Sequence, residues 1–258
     1  MKELKEIEKS LQKKYRKEIF SKFVRAVKEF NLIEPNDKIA ICISGGKDSF
    51  LLAKCMQELK RHNKFNFELK FIVMNPGYTE EKLKQVIDNA NYLNIPIEVF
   101  DTNIFDVVKD SDSPCFLCAR MRRGCLYSKA KELGCNKIAL GHHFNDVIET
   151  ILLNMIYNGK FSGMLPILDS DNFPNMKLIR PLYYIKEKDI LSWVKYTEMN
   201  FIDCACKVTK KNLGKRKEIK QLSYELVDMY DNADINILNS MFHVNPNTTF
   251  IDSSITKK

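Results

Sequence analysis

The sequence predicts an α/β fold in which helices cover both faces of a parallel β-sheet. Between residues 35 and 200, short apolar segments alternate with helical segments, which is the pattern of βαβ units. A loop with two adjacent glycines follows the first predicted strand, and the apolar spacing of residues 1–30 predicts a helix before the sheet. Because ligands of such sheets bind beyond the carboxyl ends of the strands, we expect the functional residues in the loops that follow them.

The first element is a long amphipathic helix over residues 1–30. Its apolar residues recur at every third or fourth position, and its other face is mostly Lys, Arg and Glu. Pro35-Asn36-Asp37 interrupts this pattern and precedes the first strand. The apolar positions of the helix are Leu4, Ile7, Leu11, Tyr15, Ile19, Phe23, Val27 and Phe30.

Strands and helices alternate from there to about residue 157. An irregular stretch with two prolines and two aspartates follows, and then a last helix and a helical tail that is basic at its start. We expect three segments: an N-terminal helix at 1–34, a catalytic domain at 35–200 and a cysteine-containing basic helical extension at 201–258. The expected elements are strand 38–43, helix 48–61, strand 68–74, helix 79–93, strand 97–101, helix 117–133, strand 137–140, helix 146–157, an apolar run at 178–184, helix 187–197 and a helical tail over 213–242.

The composition excludes several classes of protein. The chain has 258 residues, of which 45% are hydrophobic, and no apolar run reaches the roughly 20 residues of a membrane span. The N-terminus is charged from Lys2 onward, so we expect neither a signal peptide nor an anchor, and a cytoplasmic location. Eight irregularly spaced cysteines do not indicate a disulfide framework. The net charge of +8 favours a polyanionic partner such as nucleic acid.

The segment Ser44-Gly45-Gly46-Lys47-Asp48-Ser49 lies between the first strand and an apolar helix. This arrangement directs backbone N–H groups and the positive end of the helix at a phosphate. The glycines let the backbone approach an anion, Lys47 adds a positive charge, and the serines add hydrogen bonds. Asp48 is suited to capping the helix or to holding Mg²⁺. The spacer of a Walker A loop is absent, and the alternative interpretation is a structural Gly-Gly turn.

This string is the motif of the PP-loop ATP pyrophosphatases, and a second segment also resembles that family. Its members cleave ATP between the α- and β-phosphates, adenylate an oxygen of the substrate and release pyrophosphate. Gly141-His142-His143-Phe144-Asn145-Asp146 resembles the later Gly-His-x-x-Asp-Asp segment of the tRNA-modifying members, which implies that Gly141 and His142 contact ATP. Asn145 stands where the first aspartate is usual, so Asp146 alone is a catalytic candidate. The alternative is a loop whose histidines have no catalytic role.

Four cysteines form a candidate metal site. Cys115 and Cys118 are a Cys-x-x-Cys pair at a predicted helix start, and Cys204 and Cys206 follow about ninety residues later. Paired thiols at a helix start suit metal binding or redox chemistry. Four cysteines would close a structural zinc site, whereas three on a four-iron cluster leave one iron without a protein ligand. A redox dithiol is the third alternative.

Together, these motifs make the chain similar to the TtcA family of tRNA 2-thiocytidine synthetases. The similarity runs from about residue 20 to residue 252 and includes segments 114–124, 138–143, 152–160, 179–182 and 187–190. It implies a PP-loop ATPase fold, which is adenine nucleotide alpha hydrolase-like and Rossmann-like. It also implies that ATP adenylates the C2 oxygen of a cytidine, at position 32 of the tRNA anticodon loop, and that sulfur replaces this oxygen.

The resemblance also implies cofactors and partners. The family uses ATP, Mg²⁺ and a [4Fe-4S] cluster held by three cysteines, with sulfur from a cysteine desulfurase or another donor. The chain could form a homodimer, and we expect no association with a membrane. Arg122, beside the first cysteine pair, is expected to stabilise the negative charge that develops as the phosphate leaves. The implied catalytic residues are Lys47, Asp48, Asp146 and Arg122, and the implied cluster ligands are Cys115, Cys118 and Cys206, with Cys204 as the alternative third ligand.

Basic residues surround both cysteine pairs, which favours tRNA as the partner. The alternative interpretation of such a charge run is a solvated helix face. Two rival functions remain: a tRNA lysidine synthetase-like ligase, which does not need paired cysteines, and a non-catalytic nucleotide-binding iron–sulfur sensor. Release of pyrophosphate in the presence of tRNA separates the rivals. The basic residues are Arg120, Arg122 and Arg123 beside the first pair, and Lys207, Lys210, Lys211, Lys215, Arg216, Lys217 and Lys220 after the second.

Overall fold

A computed structural model of the protein describes residues 1–62, 65–108, 114–202 and 214–248, with the backbone alone at residues 106 and 114–116. The chain divides into two compact units. The first contains residues 1–145 and 165–213, and the second contains residues 146–164 and 214–258. Within the described residues, no helix combines the length and the apolar character that crossing a bilayer requires.

The first unit is built on a mixed sheet with the strand order β3-β2-β1-β4-β6-β5. All neighbouring strands are parallel except β5 and β6, which pair antiparallel. The expected parallel sheet is therefore present, but part of the stretch expected to be irregular is a short hairpin at the edge. The strands are β1 at Lys38–Ile43, β2 at Glu68–Asn75, β3 at Ile97–Asp101, β4 at Lys137–Ala139, β5 at Ile167–Asp169 and β6 at Lys177–Ile179.

The helices largely follow the expected order. A short helix at Ile104–Val108, just before the cysteine pair, was not expected from the sequence. The helical tail is divided into two helices. The helices are α1 at Leu4–Gln12, α2 at Ser21–Glu29, α3 at Lys47–His62, α4 at Glu80–Tyr92, α5 at Ile104–Val108, α6 at Pro114–Glu132, α7 at Phe144–Asn158, α8 at Glu187–Thr197, α9 at Gly214–Met229 and α10 at Ala233–Ser240.

The expected single helix at the N-terminus is divided by a π-helical turn at Arg16–Phe20. The backbone N–H of Phe20 donates to the carbonyl of Tyr15, five residues earlier, at 3.2 Å. The spacing of the apolar residues explains this π-helical turn. Six core residues between positions 7 and 27 follow one another at intervals of four residues, whereas one turn of an α-helix contains 3.6 residues. A π turn takes up the surplus residue. All six side chains are consequently buried: Ile7, Leu11, Tyr15, Ile19, Phe23 and Val27.

Strand β1 is buried on both sides of the sheet. Its odd-numbered residues, such as Ile41, lie in the larger core cluster with Phe50 of α3 and Trp193 of α8. Its even-numbered residue Cys42 lies in a second cluster with Tyr127 of α6. Because side chains alternate across a strand, these two clusters lie on opposite faces of the sheet. The prediction of helices on both faces is confirmed.

A partly buried ion pair ties α1 to α3. The Lys54 Nζ atom lies 2.7 Å from Glu8 Oε1, and Arg61 lies 2.8 Å from the same oxygen. Burial on its own would raise the pKa of the Glu8 carboxyl, but Arg61 and Lys54 outweigh burial and lower this pKa to about 2. Burial lowers the pKa of Lys54 in spite of the nearby carboxylate. Helix α1 is therefore held to α3 by charge as well as by apolar packing.

The described part of the second unit is helical. The amide nitrogen of Asn154 in α7 donates to the carbonyl of Ser162 at 2.9 Å, which folds the segment after α7 back on it. A Cβ at Gly163 would lie 2.8 Å from Ile151 Cγ1, so this return requires glycine. The later helices α9 and α10 carry exposed apolar residues, including Tyr224 and Ile235.

Candidate active site

The segment Ser44–Ser49, which we call the PP-loop, connects the buried end of β1 to the first turn of α3. Gly45 has a φ of +86°, which residues with a side chain rarely adopt. A Cβ at Gly45 would also lie 2.4 Å from Ile202 Cδ1 and 2.7 Å from Val86 Cγ2. Both the turn and the close packing therefore require glycine at this position.

Hydrogen bonds of Ser44 and Ser49 stabilise the conformation of the PP-loop. The Ser49 hydroxyl donates to the carbonyl of Gly46 at 2.8 Å, and the Ser44 N–H donates to the Ser49 hydroxyl at 3.2 Å. Outside the loop, the Tyr78 hydroxyl donates to the carbonyl of Ser44 at 3.2 Å. These bonds fix the loop against the first turn of α3, where N–H groups lack partners within the helix and favour an anion.

Lys47 lies between two carboxylates. Its Nζ atom is 3.1 Å from Asp48 Oδ2 and 3.4 Å from Glu187 Oε1. Burial alone would lower the pKa of Lys47, but Asp48 and Glu187 together raise it. The PP-loop therefore presents a protonated ammonium, which suits binding of a phosphate.

The loop after β4 packs directly on the PP-loop. A Cβ at Gly141 would lie 3.1 Å from the carbonyl carbon of Asp48 and 3.1 Å from the nitrogen of Ser49, so a side chain here would push the two segments apart. His143 is buried, and its Nε2 atom is 3.9 Å from Asp48 Oδ1. His142 is partly exposed. The structure thus brings together the two segments on which the predicted ATP site depends.

Asn145 and Asp146, which stand where the family segment has two aspartates, form hydrogen bonds with different helices. The Asn145 Oδ1 atom accepts a hydrogen bond from the backbone N–H of Glu187 at 2.9 Å. Asn145 therefore satisfies an N–H at the start of α8, which explains how an amide fits a position where the family usually has aspartate. Asp146 lies in the first turn of α7, and its carbonyl accepts from the Thr150 hydroxyl at 2.7 Å.

The first cysteine pair lies at the start of α6. Cys118 is buried with Met74, near the end of β2, and with Ile104 and Val108 of α5. Because β1 and β2 are parallel, Cys118 lies at the sheet edge where the PP-loop also begins. The backbone places Cys115 three residues before Cys118 and Arg122 four residues after it, so all three positions lie along one side of α6.

The donor set at α6 fits a thiolate-bound metal, because its two cysteines share one helical turn. Cys204 and Cys206 lie outside the described residues, in the segment that follows Ile202. Ile202 itself lies beside the PP-loop, because its N–H donates to the carbonyl of Gly45 at 3.2 Å. In the part of the chain that the structure describes, no three His, Cys, Asp or Glu side chains are grouped as metal ligands.

A cavity of about 520 Å³ opens beside the PP-loop. Its charged residues are Lys47, Asp48 and Glu187, and its other walls come from α8 and from the segment that leads to Ile202. A cavity that combines apolar side chains with a few charged groups is typical of a ligand site. The apolar side chains lining it are Leu191, Val194, Met199, Phe201 and Ile202.

Sequence reasoning missed three neighbours of the PP-loop: Glu187, Tyr78 and His143. Glu187 belongs to a segment that resembles the TtcA family, but its sequence position gives no indication that it pairs with Lys47. Tyr78 follows β2, and this position at a carboxyl strand end was the available signal. His143 is adjacent to His142, and only the structure shows that His143 faces Asp48.

Only part of the expected RNA surface lies in the described residues. Lys215, Arg216 and Lys217 are exposed in the first turn of α9, in the second unit. The Lys215 Nζ atom lies 4.7 Å from the centre of the Tyr157 ring, and the Tyr157 hydroxyl donates to Glu218. Lys220 also lies in α9, whereas Lys207, Lys210 and Lys211 lie outside the described residues.

Comparisons with known proteins identify the family and the fold of the chain. A family model described as a PP-loop domain matches residues 14–217. The U34-tRNA thiolase NcsA from Methanococcus maripaludis, solved with its [4Fe-4S] cluster, superposes with a TM-score of 0.71. The match covers 92% of this chain and 84% of that one at 23% sequence identity. This likeness shows the fold and confirms the predicted fold class.

Three relatives carry the name tRNA-cytidine(32) 2-sulfurtransferase. The Neisseria meningitidis protein is 39% identical over 198 residues, which cover 74% of this chain and 61% of that protein. The Paraburkholderia xenovorans protein is 37% identical over 228 residues, with coverages of 86% and 66%. The Aeromonas salmonicida protein is 39% identical over 219 residues, with coverages of 82% and 70%. The chain spans about three fifths of the length of the first of these relatives. On this evidence the chain belongs to the PP-loop family and, within it, to the family of tRNA-cytidine(32) 2-sulfurtransferases.

Proposed function

We propose that this chain is an ATP-dependent tRNA-thiolating enzyme that replaces the C2 oxygen of a cytidine, at position 32 of the anticodon loop, with sulfur. The observation that carries the proposal is that the PP-loop and the buried Cys118 lie at the same edge of the sheet. One edge can therefore serve both activation of the base and delivery of sulfur. The names of the relatives supply the substrate, cytidine in tRNA.

In the proposed activation step, the cytidine C2 oxygen attacks the α-phosphorus of ATP, and the bond to pyrophosphate breaks. Lys47 and the N–H groups at the start of α3 hold the departing pyrophosphate, where negative charge develops. Asp48, whose side chain is 28% exposed, would hold Mg²⁺ together with phosphate oxygens. Asp146 and His142 are the further candidates for contacts with ATP. The C2 oxygen then leaves with AMP as sulfur bonds to C2.

Cys115, Cys118 and Cys206, with Cys204 as the alternative third ligand, would hold a [4Fe-4S] cluster. When bound, such a cluster supplies an iron without a protein ligand, at which sulfur can be presented. The sulfur comes from a cysteine desulfurase or from another sulfur donor. Arg122, one helical turn after Cys118, is placed to steady the charge of the leaving phosphate. Lys215, Arg216 and Lys217 are expected to contact the tRNA backbone.

The test is release of pyrophosphate in the presence of tRNA, together with mass spectrometry of the nucleosides for 2-thiocytidine. Lys47→Ala should lose both activities, because it removes the charge from the PP-loop. Lys60→Ala is the matched control, since Lys60 is an exposed lysine near the other end of α3. Pyrophosphate release that requires the free amino acid lysine instead of a sulfur source would identify a ligase. If no pyrophosphate is released, the proposal is overturned and the non-catalytic iron–sulfur sensor remains as the function.

The cysteines are tested by iron, sulfide and zinc analysis of anaerobically purified protein. Cys115→Ser and Cys118→Ser should remove iron and the visible absorption of the cluster. Cys125→Ser is the control, because Cys125 lies on the same helix and packs against an apolar cluster. Zinc without sulfide in the unsubstituted protein would contradict the cluster and indicate a structural metal site.

A further inference from the structure

Glu187 is a buried carboxylate beside the PP-loop to which the proposed chemistry gives no step. It is the first residue of α8, and 11% of its side chain is exposed. Its Oε1 atom lies 3.4 Å from Lys47 Nζ. A carboxylate next to an anion site repels the anion, so its presence there requires a compensating role.

The position of Glu187 is set by the first two residues of α7, Phe144 and Asn145. The residue that caps α8, Lys186, makes no side-chain capping bond. Asn145 accepts from the Glu187 N–H at 2.9 Å instead, and the Phe144 N–H donates to the carbonyl of Ile185 at 3.0 Å. Two hydrogen bonds thus hold the start of α8 against the segment that follows the loop after β4.

We infer that Glu187 is a positioning residue that holds the Lys47 ammonium in the cavity beside the PP-loop. Asn145 in turn fixes the start of α8, the helix that carries Glu187. The inference rests on the proposed use of the PP-loop for ATP. A lysine side chain is flexible, and one fixed carboxylate restricts where its charge lies. An ammonium has three N–H donors, so Lys47 can keep Glu187 while another donor turns from Asp48 to a phosphate oxygen.

A double-mutant cycle separates this role from two others. If Glu187 positions Lys47, then Lys47 contributes more to nucleotide binding when Glu187 is present. If Glu187 instead competes with phosphate for Lys47, then Lys47 contributes more when Glu187 is absent. If Glu187 only stabilises α8, the two substitutions act independently.

The experiment measures the Kd of α,β-methylene-ATP with Mg²⁺ by calorimetry for the unsubstituted protein, Lys47→Ala, Glu187→Gln and the double variant. We expect the loss of affinity caused by Lys47→Ala to be about tenfold larger when Glu187 is present than in the Glu187→Gln background. A larger loss in the Glu187→Gln background, or equal losses in both, would overturn the inference.

Matched variants locate the effect. Glu198→Gln changes a carboxylate at the other end of α8 that is 57% exposed, and it should show no coupling to Lys47. Asn145→Ala should reduce the coupling between Lys47 and Glu187, whereas Asn145→Asp should retain it, because a carboxylate accepts the same N–H. Equal coupling in the unsubstituted protein and in both variants of Asn145 would refute the role of that residue.

The assay needs no tRNA, so it is independent of thiolation. Coupling in a protein that does not thiolate tRNA would refute the proposed function and leave the inference intact. Thiolation without coupling would refute the inference alone. If the unsubstituted protein does not bind the analogue, the assigned role of Lys47 and this inference both fail.

Discussion

Replacing Gly141 with alanine should disturb the nucleotide site without changing any charged group. Gly141 lies where the loop after β4 meets the first turn of α3. An alanine Cβ there would lie 3.1 Å from the carbonyl carbon of Asp48, 3.1 Å from the Ser49 nitrogen and 3.2 Å from the Asp48 oxygen. These are backbone atoms, so they cannot rotate away as a side chain would.

The expected displacement follows from these distances. Carbon atoms in ordinary contact are about 3.5 Å or more apart, so the two loops must separate by roughly 0.4 Å. A misplacement of about 1 Å in an active site can cost about a hundredfold in rate, and we therefore expect a loss of roughly five- to tenfold in kcat/KM for ATP. The added contact should also lower the free energy of unfolding by about 1–3 kcal/mol.

The assay is tRNA-dependent pyrophosphate release at several ATP concentrations, with urea unfolding of the same samples. Gly124→Ala is the control, because a Cβ at this position in α6 meets no atom within 4 Å among the described residues. This control should retain its activity and gain stability, since alanine is favoured over glycine within a helix. Unchanged kcat/KM in Gly141→Ala, with an unfolding free energy equal to that of the unsubstituted protein, would refute the close packing of the two loops.

Three further predictions concern charge. Because the pKa of Glu8 is about 2 in the folded protein against an ordinary 4.5, its stabilisation is present above about pH 4.5 and is lost as the pH falls toward 2. Because solvent screens this partly exposed pair, Glu8→Gln should remove about 1–2 kcal/mol of that pH dependence in urea unfolding, and identical profiles would contradict the ion pair. Lys137→Ala should lower the unfolding free energy by about 3–5 kcal/mol, because Lys137 Nζ lies 2.7 Å from the buried Asp37 carboxylate; a change below about 1 kcal/mol would show that water reaches this pair. Replacing Lys215, Arg216 and Lys217 together by alanine should weaken tRNA binding and reduce its dependence on salt, measured by filter binding at several salt concentrations, and an unchanged salt slope would exclude α9 from the RNA surface.

The order of the elements and the position of the PP-loop could be predicted because they depend on local patterns. Apolar runs identify the strands, and two glycines after the first strand identify the loop. The π-helical turn could not be predicted in the same way. The four-residue spacing of residues such as Ile7 and Leu11 is compatible with a continuous helix, and only packing against the sheet requires every side chain in that row to face the core.

The pairing of charges could not be predicted from the sequence either. Lys47 and Glu187 are 140 positions apart, and many acidic residues compete for the same lysine when only the sequence is considered. The pair becomes specific once the sheet fixes the end of β1 and Asn145 fixes the start of α8. Charge pairs between distant elements are therefore a consequence of the fold rather than a signal for it.

Asn145 shows why a family motif and a structural position need not carry the same role. A metal ligand at this position would favour a carboxylate, whereas a bond from the Glu187 N–H requires only an oxygen acceptor, which asparagine and aspartate both provide. The observed contact is of the second kind. The adjacent Asp146, in the first turn of α7, keeps the second carboxylate of the motif. The departure from the motif at position 145 is thus compatible with an active site, because the amide preserves the contact that the structure shows.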